Sequence, residues 1–239
     1  MKELIRPSTV LPAIRRPITI HTEDGLNLVG EVATPKTVRK ASILCLHPNP
    51  AGGGMMDSHI YKKAANRLPD LAGIEIIRFN TRGTTSDAGT SDGEFGNGGP
   101  ERLDVEAAID FVFNESNEVR AEKLWVMGWS FGTDLAIQYA RDPRILGLIL
   151  LSPPLQRSTR EDLEFWAEDG RPITALIPEF DDYLKPKEAA VVFGVIPQIN
   201  LINVDKAKHL WVGEPSVHRV LSEITKIVAP ERLPLPIEF

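Results

Sequence analysis

The chain has 239 residues, 42% hydrophobic and 25% charged, with a formal net charge of −6. That composition belongs to a folding globular chain and excludes a disordered one, and one domain over residues 1–239 is expected. The acidic balance, with no cluster of Lys and Arg, argues against nucleic acid or an anionic membrane as a partner.

In chain order, "MKELIRPSTVLPAIRRPITI" carries positive charge, but Pro, Arg, Ser and Thr interrupt any signal-peptide core, and no apolar run in the chain reaches membrane-spanning length. "RPITIHTEDGLNLVGEVATP" alternates apolar and polar residues around Asp24-Gly25, which predicts an antiparallel hairpin. The uniformly apolar "ASILCLHP" predicts a strand covered on both faces; it holds the one cysteine, Cys45, which has no partner for an internal disulfide and suits a reducing cytoplasm. "SHIYKKAANRLPD" has helical spacing at Ile60, Ala64 and Leu68, and "GIEIIRFN" is the next strand. Residues 81–100, "TRGTTSDAGTSDGEFGNGGP", contain no phosphate-binding motif and are expected to form a surface loop over the C-terminal edge of the sheet.

"ERLDVEAAIDFVFNES" then predicts a helix, "KLWVMGWS" a strand and "GTDLAIQYARD" a helix. Strands follow at "RILGLILLSPP", "RPITALIPEF" and "QINLINVDKAKH", with helices at "REDLEFWAED", "KEAAVVF" and "SVHRVLSEITKIV". The alternation specifies an α/β fold, a mostly parallel sheet with helices on both faces, entered through the hairpin. The Pro-rich tail "APERLPLPIEF" is expected to be extended and to pack on the core or on a second copy, so a homodimer stays open.

Gly128-Trp129-Ser130-Phe131-Gly132 fits the GxSxG pattern, in which a sharp strand-to-helix turn exposes a serine. Side chains at 128 and 132 would make the strand end collide with the first helical turn. A serine hydroxyl needs a base, and the base needs a third group to fix its tautomer. Of the five histidines, His21, His59 and His218 read as surface or packing residues and His47 precedes the serine; His209, in "DKAKHLWVG", has the expected order and place. "PEFDDYLKP" supplies the acid as Asp181 or Asp182 in the turn after a strand; the likeness to folds with this serine turn, where the acid stands ahead of an aromatic or aliphatic residue and a Pro, favours Asp181 when aligned on Leu184 and Pro186. An oxyanion hole would take the Phe131 N–H and one from "HPNPAGGGMMDSH", where Pro48 and Pro50 have no N–H, leaving Asn49 first and Ala51 next.

Together "HPNPAGGGMMD", "RFNTRGTTSDAG", "GWSFG", "PEFDDYLKP" and "DKAKHLWVG" resemble the α/β-hydrolase superfamily, and within it the small, capless esterase and dienelactone-hydrolase-like members. The resemblance implies a sheet of about eight strands and a metal-independent serine hydrolase without cofactor. Two departures stand out: His47-Pro48 replaces the common His-Gly, and Ser130 stands where dienelactone hydrolases proper have cysteine. The segment between the sixth and seventh main strands is too short for a large cap, so the site should be open, walled by Met55, Met56, Trp129, Phe131, Leu184, Leu210 and Trp211. The expected substrate is a small carboxylic ester or thioester; a peptidase or amidase, or a ligand-binding protein that keeps the fold without turnover, are the alternatives.

Overall fold

The computed structural model describes residues 3–114 and 122–239. Strands β1 (Ile14–His21) and β2 (Asn27–Thr34) form the antiparallel hairpin around Asp24-Gly25, with Gly25 at φ 85°. Every residue of β3 (Ala41–Leu46) and β4 (Ile74–Phe79) is buried, as expected of strands covered on both sides; in β4 the charged Glu75 and Arg78 are buried with ion-pair partners, Arg39 at 2.8 Å and Glu31 at 2.6 Å. Between them lies α1 (His59–Ala72). The short pair β5 (Thr85–Ser86) and β6 (Gly89–Thr90) is followed by α2 (Glu101–Phe113), β7 (Leu124–Trp129) and α3 (Phe131–Tyr139). Then come β8 (Ile145–Leu151), α4 (Arg160–Asp169), β9 (Ile173–Phe180), α5 (Pro186–Val192), β10 (Ile199–Lys208) and α6 (Glu214–Val228). The last two residues of the helix predicted over 101–116 lie outside the described residues.

Eight strands make one sheet in the order β1-β2-β4-β3-β7-β8-β9-β10. β1–β2 and β2–β4 pair antiparallel, and all pairs from β4 through β10 are parallel. Side-chain alternation splits the core in two. Ile43, Cys45 and Ile76 face α1 and α6, which bury Ile60, Ala64, Leu68, Val217, Val220 and Ile224. Leu44, Leu46 and Ile77 face the other layer, built from Val105, Ala108 and Ile109 of α2, Leu135 and Ala136 of α3, and Leu163 and Trp166 of α4. Each fully buried Val, Leu or Ile contributes about 1.5–3 kcal/mol, so these two layers hold the sheet whose strand ends carry the site.

The segment 81–100 departs from a simple surface loop. Arg82 is buried and ion-paired with fully buried Asp104 at 2.8 Å and with Asp24 at 2.9 Å. Glu101 accepts the N–H groups of Gly96 and Gly98 at 2.6 and 2.7 Å. Polar residues are thus drawn inward, because each finds an oppositely charged or hydrogen-bonding partner that offsets its desolvation. The tail turns back on its own chain: Leu235 is buried, and Glu3, Ile5, Ile237 and Phe239 share backbone hydrogen bonds of 2.8–3.0 Å. Among the described residues no helix is long and apolar enough to cross a membrane.

Candidate active site

β7 ends at Trp129, Ser130 takes φ 51° and ψ −120°, and α3 starts at Phe131. A non-glycine residue at positive φ is strained and persists only where its surroundings over-determine it. Here the Ser130 N–H donates to Leu151 O at 2.9 Å, extending the β7–β8 ladder by one residue. The Ser130 carbonyl is held from the helix side by Thr133 N–H at 2.8 Å and Thr133 Oγ1 at 2.6 Å. A Cβ on Gly128 would lie 2.3 Å from Gly132 O, the collision expected between strand end and helix. At Gly132 the obstacle is different: a Cβ would lie 1.9 Å from Leu46 O, so the helix start rests on the backbone of β3.

Ser130 Oγ is 2.8 Å from His209 Nε2, and His209 Nδ1 is 2.9 Å from Asp181 Oδ2 and 3.2 Å from Oδ1. An ionised carboxylate can only accept, so Nδ1 carries the proton and Nε2 offers its lone pair to the hydroxyl. Burial pushes the Asp181 carboxyl up, but hydrogen bonds from His209, Tyr183 N–H at 2.8 Å and Leu184 N–H at 3.2 Å outweigh it and hold the group below its ordinary value. Asp182, the other sequence candidate, is exposed. The Tyr183 ring, which the sequence did not single out, packs on the His209 imidazole with centroids 4.7 Å apart.

The loop after β3 abuts this turn through Leu46 and His47. As the first residue of α3, Phe131 has an N–H without an intrahelical acceptor. Asn49 caps the short 3-10 turn Pro50–Gly52; its side-chain oxygen accepts the Ala51 N–H at 3.0 Å and its carbonyl accepts those of Gly52 and Gly54 at 2.9 Å. Ala51, the second-choice donor, therefore has its N–H engaged. His47 is buried; its Nε2 accepts the Thr81 N–H at 3.0 Å, which assigns the proton to Nδ1, donated to Pro48 O at 2.7 Å. Burial pushes its pKa down to about 4, against the opposing pull of the Pro48 carbonyl. With its Nε2 lone pair spent, His47 is a structural imidazole.

No protein-family model matches the chain. It is 34% identical over 139 residues to uncharacterized protein RP471 of Rickettsia prowazekii (strain Madrid E), a match spanning 58% of this chain and 56% of that protein's length. Among solved structures it is similar to XC6422 from Xanthomonas campestris, described as an α/β serine hydrolase without lid, at 23% identity and TM-score 0.70, over 96% of this chain and all (100%) of that one. The Pyrococcus furiosus esterase PF2001 matches at 17% identity and TM-score 0.68, over 95% of this chain and 98% of the other. The chain has the α/β-hydrolase fold.

Only α4 and its turns lie between β8 and β9, so this α/β-hydrolase fold has no large cap there. Of the expected pocket walls, Leu210 is exposed and lines a cavity of about 380 Å³ with Asp182, Lys206, Lys208, His209 and Val212. Met55 is half-buried near the Asn49 turn. Met56, Trp129, Phe131, Leu184 and Trp211 are all buried. Trp129, expected among the pocket walls, packs in the layer beneath the serine turn. Its ring packs edge-on against His59 and Tyr61, at 5.2 and 6.0 Å between centroids, and its Nε1 donates to the His209 carbonyl at 3.3 Å. The other histidines meet packing partners: His21 the Asn27 side chain, His59 the Trp211 carbonyl and His218 the Leu235 carbonyl.

Proposed function

We propose that the protein is a serine hydrolase that cleaves small carboxylic esters or thioesters. The observation that carries this reading is the continuous chain from Ser130 Oγ through His209 to buried Asp181, at 2.8 and 2.9 Å. Ser130 Oγ attacks the substrate carbonyl carbon while His209 Nε2 takes its proton. The tetrahedral oxyanion accepts the N–H groups of Phe131 and Asn49. As the intermediate collapses, the C–O or C–S bond breaks and His209 returns the proton to the departing alcohol or thiol. Water, deprotonated by the same imidazole, then releases the acid and regenerates Ser130. Asp181 stays ionised throughout, fixes the tautomer and stabilises the imidazolium.

No metal or cofactor enters this scheme. The ester reading draws on the name of the similar Pyrococcus furiosus esterase and on a site without a large cap. The buried free thiol of Cys45 suits a reducing, cytoplasmic setting. The test is a fluorophosphonate probe followed by peptide mapping. A stoichiometric adduct on Ser130, lost in His209→Ala, supports the reading, and ester against arylamide turnover then separates esterase from amidase. A folded protein that stays unlabelled at Ser130 would overturn it.

A further inference from the structure

Ser152 follows β8 and precedes Pro153-Pro154, where a serine reads as a strand end. Yet it is 1% exposed and sits at φ 49°, a conformation that L side chains rarely adopt. A buried hydroxyl must find a partner, and a strained residue persists where something holds it. The Ser152 N–H donates to Leu176 O at 3.0 Å, and its Oγ donates to the backbone carbonyl of His209, also at 3.0 Å. That carbonyl also receives Trp129 Nε1 at 3.3 Å.

The segment bearing His209 needs such a hold. From Val204 to Lys208 the chain advances four residues while β9 advances two, Pro178 to Phe180, so a bulge interrupts the ladder, which re-forms only at Lys208, the last residue before the histidine. Lys206 and Trp211 have φ of 58° and 53°, and Leu210 and Val212 are 54% and 74% exposed. One ladder pairing at Lys208 and buried Trp211 flank residue 209, and the orientation of the peptide between them is set by what its carbonyl meets. The two donors to its carbonyl come from the strand ends that hold the serine. Trp129 immediately precedes Ser130, and Leu151, whose carbonyl accepts the Ser130 N–H at 2.9 Å, immediately precedes Ser152.

We infer that Ser152, together with Trp129 Nε1, is a positioning clamp on the His209 carbonyl that refers the base to the same strand ends as the nucleophile. Ser152 touches no reacting atom. It acts by keeping Nε2 on Ser130 Oγ and Nδ1 on Asp181 while charge moves between them. Its conformational strain is the structural counterpart of that task, since glycine would suit the backbone better and could not hold the carbonyl. The inference rests on the function proposed above only for its kinetic consequence.

The test compares Ser152→Gly with Trp129→Phe and the double variant. Ser152→Gly removes the hydroxyl but suits φ 49°, so the protein should fold and melt no lower than wild type. For a clamp, kcat falls about 10-fold in Ser152→Gly with KM unchanged, as expected when a base is misplaced by a fraction of an ångström. Trp129→Phe should behave alike, and the double variant should lose less than the product of the two. Independently of turnover, the downfield NMR resonance of the His209 Nδ1 proton should broaden or disappear in Ser152→Gly. An unchanged resonance and unchanged kcat would overturn the inference. If wild-type Ser130 proves unreactive to a fluorophosphonate, the hydrolase reading fails, and the proton resonance alone still decides the clamp.

Discussion

His47 accepts the Thr81 N–H at Nε2 and donates from Nδ1 to Pro48 O, joining the loops that leave β3 and β4 through one neutral imidazole. In a planar trans peptide the C=O and N–H point in opposite directions. With Pro48 O bound back to His47, the Asn49 N–H is turned away from it. The Asn49 carbonyl and side-chain oxygen are already occupied within the same turn. This is the arrangement that would present a backbone donor to an oxyanion.

His47→Ala should therefore lower kcat by about 10²-fold, the scale of one lost oxyanion donor, with little change in KM. His47→Asn keeps a donor near Nδ1 and should retain more activity. Steady-state kinetics on both variants, with melting curves to verify folding, checks this. Equal kcat in wild type and His47→Ala would show that the Asn49 N–H plays no such part.

The same imidazole makes stability depend on pH. Its pKa falls from 6.5 to about 4 on folding, so between those values the unfolded chain binds a proton that the folded one does not. Stability then rises with pH across that window: the folded state keeps its full margin above pH 6.5 and loses it progressively down to about pH 4. The loss from this group amounts to roughly 3 kcal/mol at 1.4 kcal/mol per pKa unit. Denaturant melts at several pH values should show a flatter acid slope in His47→Asn than in wild type. Parallel slopes would mean that His47 is already protonated in the folded protein.

Replacing Ser130 separates strain from chemistry. Both Ser130→Ala and Ser130→Gly lose the hydroxyl and should be inactive. At φ 51° alanine keeps the backbone strain while glycine relieves it. The glycine variant should be more stable by about 1 kcal/mol, which for a chain of this size is a melting temperature higher by about 2–4 °C. That reverses the usual order of the two residues. Calorimetry finding the alanine variant the more stable would show that the turn is not strained.

Much of the fold was legible because it rests on continuous apolar strands. "SILCL" and the "II" and "F" of "EIIRF" put apolar side chains on both faces, which points to a doubly covered parallel sheet, while Glu75 and Arg78 are buried there only because each meets a charged partner. The turn at Ser130 was legible because its two glycines answer to steric contacts that no other residue meets. Adjacent Asp181 and Asp182 were harder, since spacing along the chain cannot tell which side chain turns inward. The surroundings of Trp129 were not legible for a related reason: an aromatic beside Ser130 suits a pocket wall or a buried layer equally, and only the sheet's pleat shows that its ring packs on His59 and Tyr61. Ser152 and Thr81 carried no signal at all. Each follows a strand, as many serines and threonines do, and their partners lie 57 and 34 residues away. Arg82, Asp104 and Glu101 were hidden by composition, because a polar stretch reads as solvated until its charges are seen to pair.

The two neighbouring aspartates offer the sharpest functional contrast. Asp181 accepts three N–H groups and is 2% exposed, whereas Asp182 is exposed at the cavity rim. Because the folded pKa of Asp181 lies below its ordinary 3.8, its stabilising contribution is complete above that value and is lost only as pH falls through the lower folded one. Any loss of activity near neutral pH must come from another group. In Asp181→Asn an amide can donate to Nδ1, moving the imidazole proton to Nε2 and leaving no lone pair for Ser130. The expected loss in kcat is about 10³–10⁴-fold, while Asp182→Asn should change turnover little. Comparable losses in the two variants would mean that the carboxylate which orients His209 has been misassigned.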